Sequence, residues 1–314
     1  MQNPSQPPFS KGRGYPSLAK RGVGRFSNGD VNSILRPFII EKSSVAHTHH
    51  MEEVDMANLK GKVALVTGGG SGIGRAICHR LAKDKANIVI NDVDMKGIEK
   101  VSREVGRLGV KCLPACADVS VKASVEEMVV QVIKKWKRID VLVNCAGIAS
   151  IIPLLDITEE EFDRVYRVNL KGAFLCTRTV AKEMVRTGGG RIINVSSLAG
   201  RRPAEFMVAY TCAKFGVIGL TQTTALELGK YGIRCNAVAP GFIDTPLWKV
   251  RDKRIAEIRG LKEINTLEIA VKSVPLGRAG APEDVANVVS FLAGSDSDYV
   301  NGQTINVCGG VHFN

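Results

Sequence analysis

From Lys62 onward the chain alternates short, continuously apolar runs with longer stretches whose apolar residues recur at helical spacing. VALVT (63–67) reads as a buried strand, and GIGRAICHRLAKD (72–84) as the helix that follows it. The same alternation predicts further strands over 86–92, 110–118, 139–144, 191–197, 233–239 and 303–307. Helices are predicted from beyond Asp92 to about Leu108, and over 121–137, 159–187, 208–230 and 282–294. Strands that are apolar throughout need cover on both faces, which is the signature of a parallel sheet. The expected fold class is therefore α/β: a single doubly wound domain over 57–314, with a mostly parallel seven-stranded sheet and helices on both faces. In such a fold ligands bind outside the carboxyl ends of the strands.

Residues 1–56 have a different character. The first thirty are rich in Pro, Gly, Ser and Arg, carry one acid (Asp30), and show no sustained apolar period. Such a stretch cannot bury enough surface to offset its ordering entropy, so a disordered basic extension is expected. An organellar transit peptide is the alternative, although its Pro and Gly spoil an amphipathic helix; upstream sequence not normally translated is another, because Met56 opens a clean domain start. His47, His49 and His50 lie here and are not read as a metal site.

Composition narrows the function classes. No apolar run reaches the roughly 18 residues of a membrane span. The eight cysteines are scattered, without CxxC pairs or zinc spacing, which implies a reducing, cytoplasmic setting and no metal. Cys112 and Cys116 share a strand face and read as buried thiols. The net charge of +12 is spread along the chain without aromatic interleaving, so nucleic acid is not the expected partner. One local concentration stands out: Lys249, Arg251, Lys253, Arg254, Arg259 and Lys262, a solvated helix face in its simplest reading.

The chemistry-bearing motifs begin with Thr67-Gly-Gly-Gly-Ser-Gly-Ile-Gly74, between a strand and its helix. Gly68, Gly72 and Gly74 allow a tight turn and close approach of a pyrophosphate to a helix N-terminus; Ser71 and Ile73 complete the turn. This is the Rossmann-type dinucleotide site. Asp92, ending the second strand, can accept from both ribose hydroxyls and would repel a 2′-phosphate. NAD is thus favoured over NADP, although Arg75 could swing toward a phosphate. Tyr210 and Lys214 are four apart on one helix and share a face. A free phenol, with a pKa of about 10, is a poor base at neutral pH, and a neighbouring ammonium favours its ionised form. Ser197 ends the fifth strand, where its hydroxyl can orient a substrate oxygen; Ser196 competes for that role.

Five motifs in order resemble the short-chain dehydrogenase/reductase family: the glycine turn, Asp118-Val119, Asn144-Cys-Ala-Gly147, Tyr210-Thr-Cys-Ala-Lys214 and Pro240-Gly-Phe-Ile-Asp-Thr245. The resemblance implies a nicotinamide-dependent oxidoreductase interconverting a secondary alcohol and a ketone. It implies that Asn169, Ser197, Tyr210 and Lys214 are catalytic, with Asn169 holding a water that passes protons from Lys214 to solvent. Cofactor contacts are implied for Thr67, Gly68, Ser71, Gly72, Ile73, Gly74, Asp92, Asp118, Val119, Asn144, Ala146, Gly147, Tyr210, Lys214, Pro240, Gly241, Ile243 and Thr245. Cys145 departs from the family's usual second Asn and puts local sheet stability in question; Cys308 departs from its usual Asp. The segment 242–278 and the tail look most like members acting on diols and polyols. A 3-oxoacyl thioester reductase using NADPH is the alternative enzyme, with Arg201, Arg202 and the basic segment meeting an acidic carrier protein. A non-catalytic NAD-binding partner protein is the alternative of another class. Apolar residues on more than one stripe of 159–187 and 208–230 point to a homo-oligomer, dimer or tetramer, through those helices.

Overall fold

The computed structural model describes residues 58–313; the expectations placed on residues 1–56, including the His tract, lie outside them. Seven strands form one sheet: β1 (Val63–Thr67), β2 (Asn87–Asp92), β3 (Cys112–Cys116), β4 (Val141–Asn144), β5 (Gly190–Val195), β6 (Ile233–Pro240) and β7 (Thr304–Val307). Their order is β3-β2-β1-β4-β5-β6-β7, and every pairing is parallel. The order reverses between β1 and β4, so a crevice opens there at the carboxyl edge.

The helices are α1 (Gly72–Lys83), α2 (Met95–Gly106), α3 (Lys122–Trp136), α4 (Glu159–Tyr166), α5 (Gly172–Thr187), α6 (Val208–Leu228), α7 (Leu247–Arg259), α8 (Thr266–Val271) and α9 (Pro282–Ala293). Alternation along each strand divides the core between two faces. Ala64 and Val66 of β1 pack with Ile77 and Leu81 of α1, Ile98 of α2 and Val285 and Leu292 of α9. Val63 and Leu65 face the other way, toward Val129 of α3 and Val180 and Met184 of α5. No helix of the described residues is long and apolar enough to cross a membrane.

Three differences from the sequence reading have physical causes. The single helix expected over 159–187 is interrupted by a π-helical turn at Arg167–Lys171, which inserts a wider loop of backbone between α4 and α5. The basic stretch read as a solvated helix face does form a helix, α7, followed by α8, but α7 is not wholly solvated: Ile255 and Ala256 are buried. Cys116 is exposed and Cys112 only half-buried, because β3 is an edge strand with no neighbour beyond it and with Pro114 in its middle.

Candidate active site

The turn after β1 is shaped by contacts only glycine tolerates. Gly68 has φ +66°, and a Cβ there would lie 2.8 Å from Ala146 Cα, so the turn packs directly on the exit of β4. A Cβ on Gly74 would collide with the Gly68 carbonyl oxygen. Helix α1 starts with no side-chain cap at Ser71 and no acid in its first turn. Its leading N–H groups are therefore available to an anion, and the cradle suits a pyrophosphate.

Thr67 is 1% exposed, and its hydroxyl is engaged by the protein. It donates to Val143 O at 3.4 Å and accepts from the Cys145 and Ala146 amides at 3.0 and 3.1 Å, tying β1 to the β4 exit. Asn144 is likewise inward, donating to Thr177 Oγ1 at 3.0 Å and Asn194 Oδ1 at 2.8 Å. Their side chains build the crevice wall. The Cys145 position makes no demand on its side chain for sheet pairing, because Asn144 carries the cross-strand bond. Burial pushes the Cys145 thiol up to about 11, against the opposing pull of the Lys214 ammonium.

Asp92 sits half-buried at the end of β2. Its Oδ2 accepts from Gly70 N at 3.0 Å, and its Oδ1 from Val93 N at 2.8 Å and Asp94 N at 3.2 Å. Asp94, not Asp92, caps α2, accepting from Lys96 N. Arg75 is held in a two-bond pair with Glu104, at 2.8 and 3.1 Å. That guanidinium, helped by His79, lowers the Glu104 carboxyl to about 2. Asp118 is exposed beyond β3, with its Oδ1 accepting from Ser120 N at 2.8 Å. Val119 is buried and packs on α5: a Cβ on Gly172 would lie 2.8 Å from its Cγ2.

Beyond β6, Pro240 ends the strand, and Gly241 lies against Cys308, whose Cβ would be 2.8 Å from a Cβ placed there. Ile243 bridges in parallel to Gly280, and its carbonyl accepts from Trp248 Nε1 at 2.7 Å. Thr245 faces the glycine turn, with Cγ2 3.9 Å from where a Gly72 Cβ would be. The Pro240–Thr245 loop and the Thr67–Gly74 turn are thereby brought to one crevice.

The other cluster lies where α6 meets β5. Lys214 is 4% exposed, and its Nζ donates to Val195 O at 2.7 Å. The same Nζ lies 5.5 Å from the centroid of the Tyr210 ring. An ammonium has three protons, and this bond uses one. Ser196 is inward and donates to Lys214 O at 2.9 Å, so it joins β5 to α6. Ser197 is half-exposed, its Oγ accepting from Ala199 N at 3.1 Å, which leaves its own proton to give. The structure thus separates two adjacent serines that their chemistry alone left in competition.

Asn169 lies on the π-helical turn and is 2% exposed. Its Oδ1 accepts from Ile148 N and its Nδ2 donates to Ile148 O, both at 2.8 Å. A Cβ on Gly147 would lie 3.0 Å from Asn169 Oδ1 and 3.6 Å from Lys214 Nζ, so these three meet at one point. Ile148 and Val195 take part through backbone atoms, for which a side-chain pattern gives no signal. Tyr210 is half-buried against Ile151, Met207 and Ile255, so α7 supplies one wall of the space at the phenol.

The comparisons bear on the family and the fold. The sequence profile of the family described as short chain dehydrogenase matches residues 62–256. A short-chain dehydrogenase/reductase of Armillaria gallica is 44% identical over 262 residues, 81% of this chain and 97% of that protein. A (3R)-3-hydroxyacyl-CoA dehydrogenase of Rattus norvegicus is 43% identical over 267 residues, again 81% and 97%. The structure of NAD+-bound xylitol dehydrogenase superposes with a TM-score of 0.76 at 34% identity, covering 80% of this chain and 99% of that one. With the parallel sheet, the glycine turn and the Tyr210–Lys214 pair in place, the chain belongs to the short-chain dehydrogenase/reductase family, oxidoreductases acting on CH–OH groups with NAD or NADP.

Proposed function

We propose that the chain is an NAD-dependent dehydrogenase that interconverts a secondary alcohol, of the diol or polyol type, with its ketone, using Tyr210 as general acid and base. The observation that carries the reading is the buried Lys214 ammonium beside the Tyr210 ring, 5.5 Å from its centroid, with one protein acceptor for its three protons. A buried cation with spare donors stabilises a neighbouring phenolate and can reach a cofactor ribose. The nicotinamide ring, when bound, supplies the hydride acceptor or donor. Ser197 directs its free proton at the substrate oxygen. Tyr210 takes the alcohol proton or returns it to the ketone, and is reset by a proton passed to or from solvent through Lys214 and a water. Asn169 is a positioning residue: its two hydrogen bonds with the Ile148 backbone hold Gly147 beside Lys214, and its remaining amide proton is available to a water.

Two features support NAD. Asp92 presents a carboxylate fixed by three backbone N–H groups where a 2′-phosphate would come. Arg75, the nearby cation that could neutralise that phosphate, is already paired with Glu104. The NAD+-bound xylitol dehydrogenase neighbour favours the same choice and the same substrate type. A second reading, reduction of a 3-oxoacyl thioester with NADPH, is favoured by the basic face of α7 and by the 3-hydroxyacyl-CoA relative. All eight cysteines are free, which fits a reducing, cytoplasmic setting. Exposed Tyr166, Phe174, Phe215 and Leu226 on α4, α5 and α6 fit pairing with a second copy.

The test is NAD(H) absorbance with acetoin, 2,3-butanediol, several polyols and an acetoacetyl thioester, each with NAD(H) and NADP(H). Turnover of diols or polyols with NAD(H) is expected. Thioester reduction with NADPH alone would overturn both the substrate type and the role given to Asp92.

A further inference from the structure

The basic residues of α7 differ in what they meet. Arg254 donates to Ile151 O at 3.1 Å and pairs with Glu257 at 3.0 Å. Arg259 pairs with Glu205 at 2.8 Å. Arg251 forms no ion pair among the described residues. Its Nη1 donates to the Met207 thioether at 3.0 Å, a weak acceptor, and its Nε is buried without a hydrogen-bond partner. The adjacent carboxylate makes no hydrogen bond to it and acts on it only through its charge: Asp252 Oδ1 accepts from the backbone N–H of Thr266 at 2.8 Å and from its hydroxyl.

The place of this guanidinium gives it meaning. Met207 is in the buried cluster with Ile151 and Ile255 against which Tyr210 packs, so Arg251 lies on the wall that holds the phenol. Its other flank is the Trp248 ring, 5.4 Å from the guanidinium carbon. Trp248 is itself fixed, bonded to Ile243 O and set edge-on to Phe242. Burial pushes the Arg251 guanidinium down from its ordinary value; the Asp252 charge opposes this, Arg259 adds to it, and Tyr210 acts in the same sense as Asp252. A partly desolvated cation with no anion bonded to it is costly, and low surrounding polarity strengthens any charge pair it later forms. The guanidinium is planar, its buried Nε is unbonded, and it lies beside an aromatic ring and a thioether. That geometry matches a carboxylate.

We propose that Arg251 is a specificity-determining residue that binds a carboxylate on the substrate, so that the preferred substrates are hydroxy and polyhydroxy acids and their oxo counterparts. The assignment rests on Tyr210 marking the reacting end of the site. It deepens the polyol reading by adding an acid group to the hydroxylated chain.

The experiment is calorimetric binding of gluconate and 3-hydroxybutanoate, each against its own amide, to the full chain saturated with NADH. Methyl phosphate is a third arm. The carboxylates are expected to bind about tenfold or more tighter than their amides, the difference a charge-assisted pair makes. Arg251→Gln should abolish that preference, and Arg251→Lys, which keeps charge but not the flat fork, should restore part of it. Retained NADH binding shows that each variant is folded. Equal binding of acid and amide, or a preference that survives Arg251→Gln, overturns the proposal. Tighter binding of methyl phosphate than of either acid overturns the carboxylate assignment. Turnover of the acids and their methyl esters with NAD is measured in parallel. Acid-selective binding without any turnover would leave Arg251 standing and sink the dehydrogenase reading. Ester turnover without acid selectivity would do the reverse.

Discussion

Replacing Asn169 with Ala would remove the acceptor for the Ile148 N–H and the donor to the Ile148 carbonyl at once, two bonds of 2.8 Å each. Asn169 is 2% exposed, so neither backbone group gains bulk water directly in exchange. A buried polar group left without a partner costs about 1–3 kcal/mol. Two such groups give roughly 2–6 kcal/mol, and a water drawn into the vacated space would recover part of it. An expected loss of about 2–4 kcal/mol is a large share of a typical total of about 5–15 kcal/mol. The assay is urea unfolding followed by circular dichroism at fixed protein concentration, with amide exchange read at Ile148. Exchange there should quicken by about thirtyfold for each 2 kcal/mol lost locally. Turnover should fall while NADH still binds, because Gly147 would no longer be held beside Lys214. A variant within about 0.5 kcal/mol of wild type with unchanged Ile148 exchange would refute the reasoning, since ordinary surface changes stay in that range.

Other outcomes follow from the same geometry. Asp92→Asn should raise the NADP-to-NAD ratio in kcat/KM by about tenfold, since removing a charge a few ångström from the phosphate relieves about 1.4 kcal/mol; steady-state kinetics with both cofactors check it. Glu104 is held at about 2 against an ordinary 4.5, chiefly by its bond to Arg75. A depressed carboxyl stabilises the fold above its unfolded value and loses that contribution as pH falls through the folded one. Glu104→Gln should therefore melt below wild type at pH near ~7, with the gap closing as pH drops through the acid range, as seen by melting scans. Burial pushes the Cys145 thiol up to about 11 and those of Cys176 and Cys235 to about 12. Timed alkylation with mass spectrometry should label exposed Cys116 and Cys212 well before those three.

Much of this site could be read along the chain because its parts are local. The glycine turn is one contiguous segment between a strand and a helix, and Tyr210 and Lys214 are one helical turn apart. What sequence could not show depends on non-local contacts. The resemblance implies Ser197 rather than Ser196, but the physical reason, that the Ser196 hydroxyl is spent on Lys214 O across the β5–α6 gap, is non-local. Asn169 turns inward because the π-helical turn breaks the period that predicts which residues share a face. Helix α7 has few apolar residues, and its burial comes from Met207 and Ile151, remote in sequence, so the segment reads as a solvated helix face. Cys116 is exposed where the pattern predicts a buried thiol, because an edge strand and a central one look alike until the strand order is known.

Tyr210→Phe removes only the hydroxyl that is assigned the proton transfer and leaves the ring packed on Met207 and Ile151. Once a substrate is in hand, turnover of this variant and NADH binding by fluorescence titration should be measured side by side. Turnover is predicted to fall by about a thousandfold, the usual worth of a positioned general acid and base, with NADH affinity within about threefold of wild type. A variant that keeps turnover within about tenfold of wild type would contradict the assignment, because no other residue was given that proton.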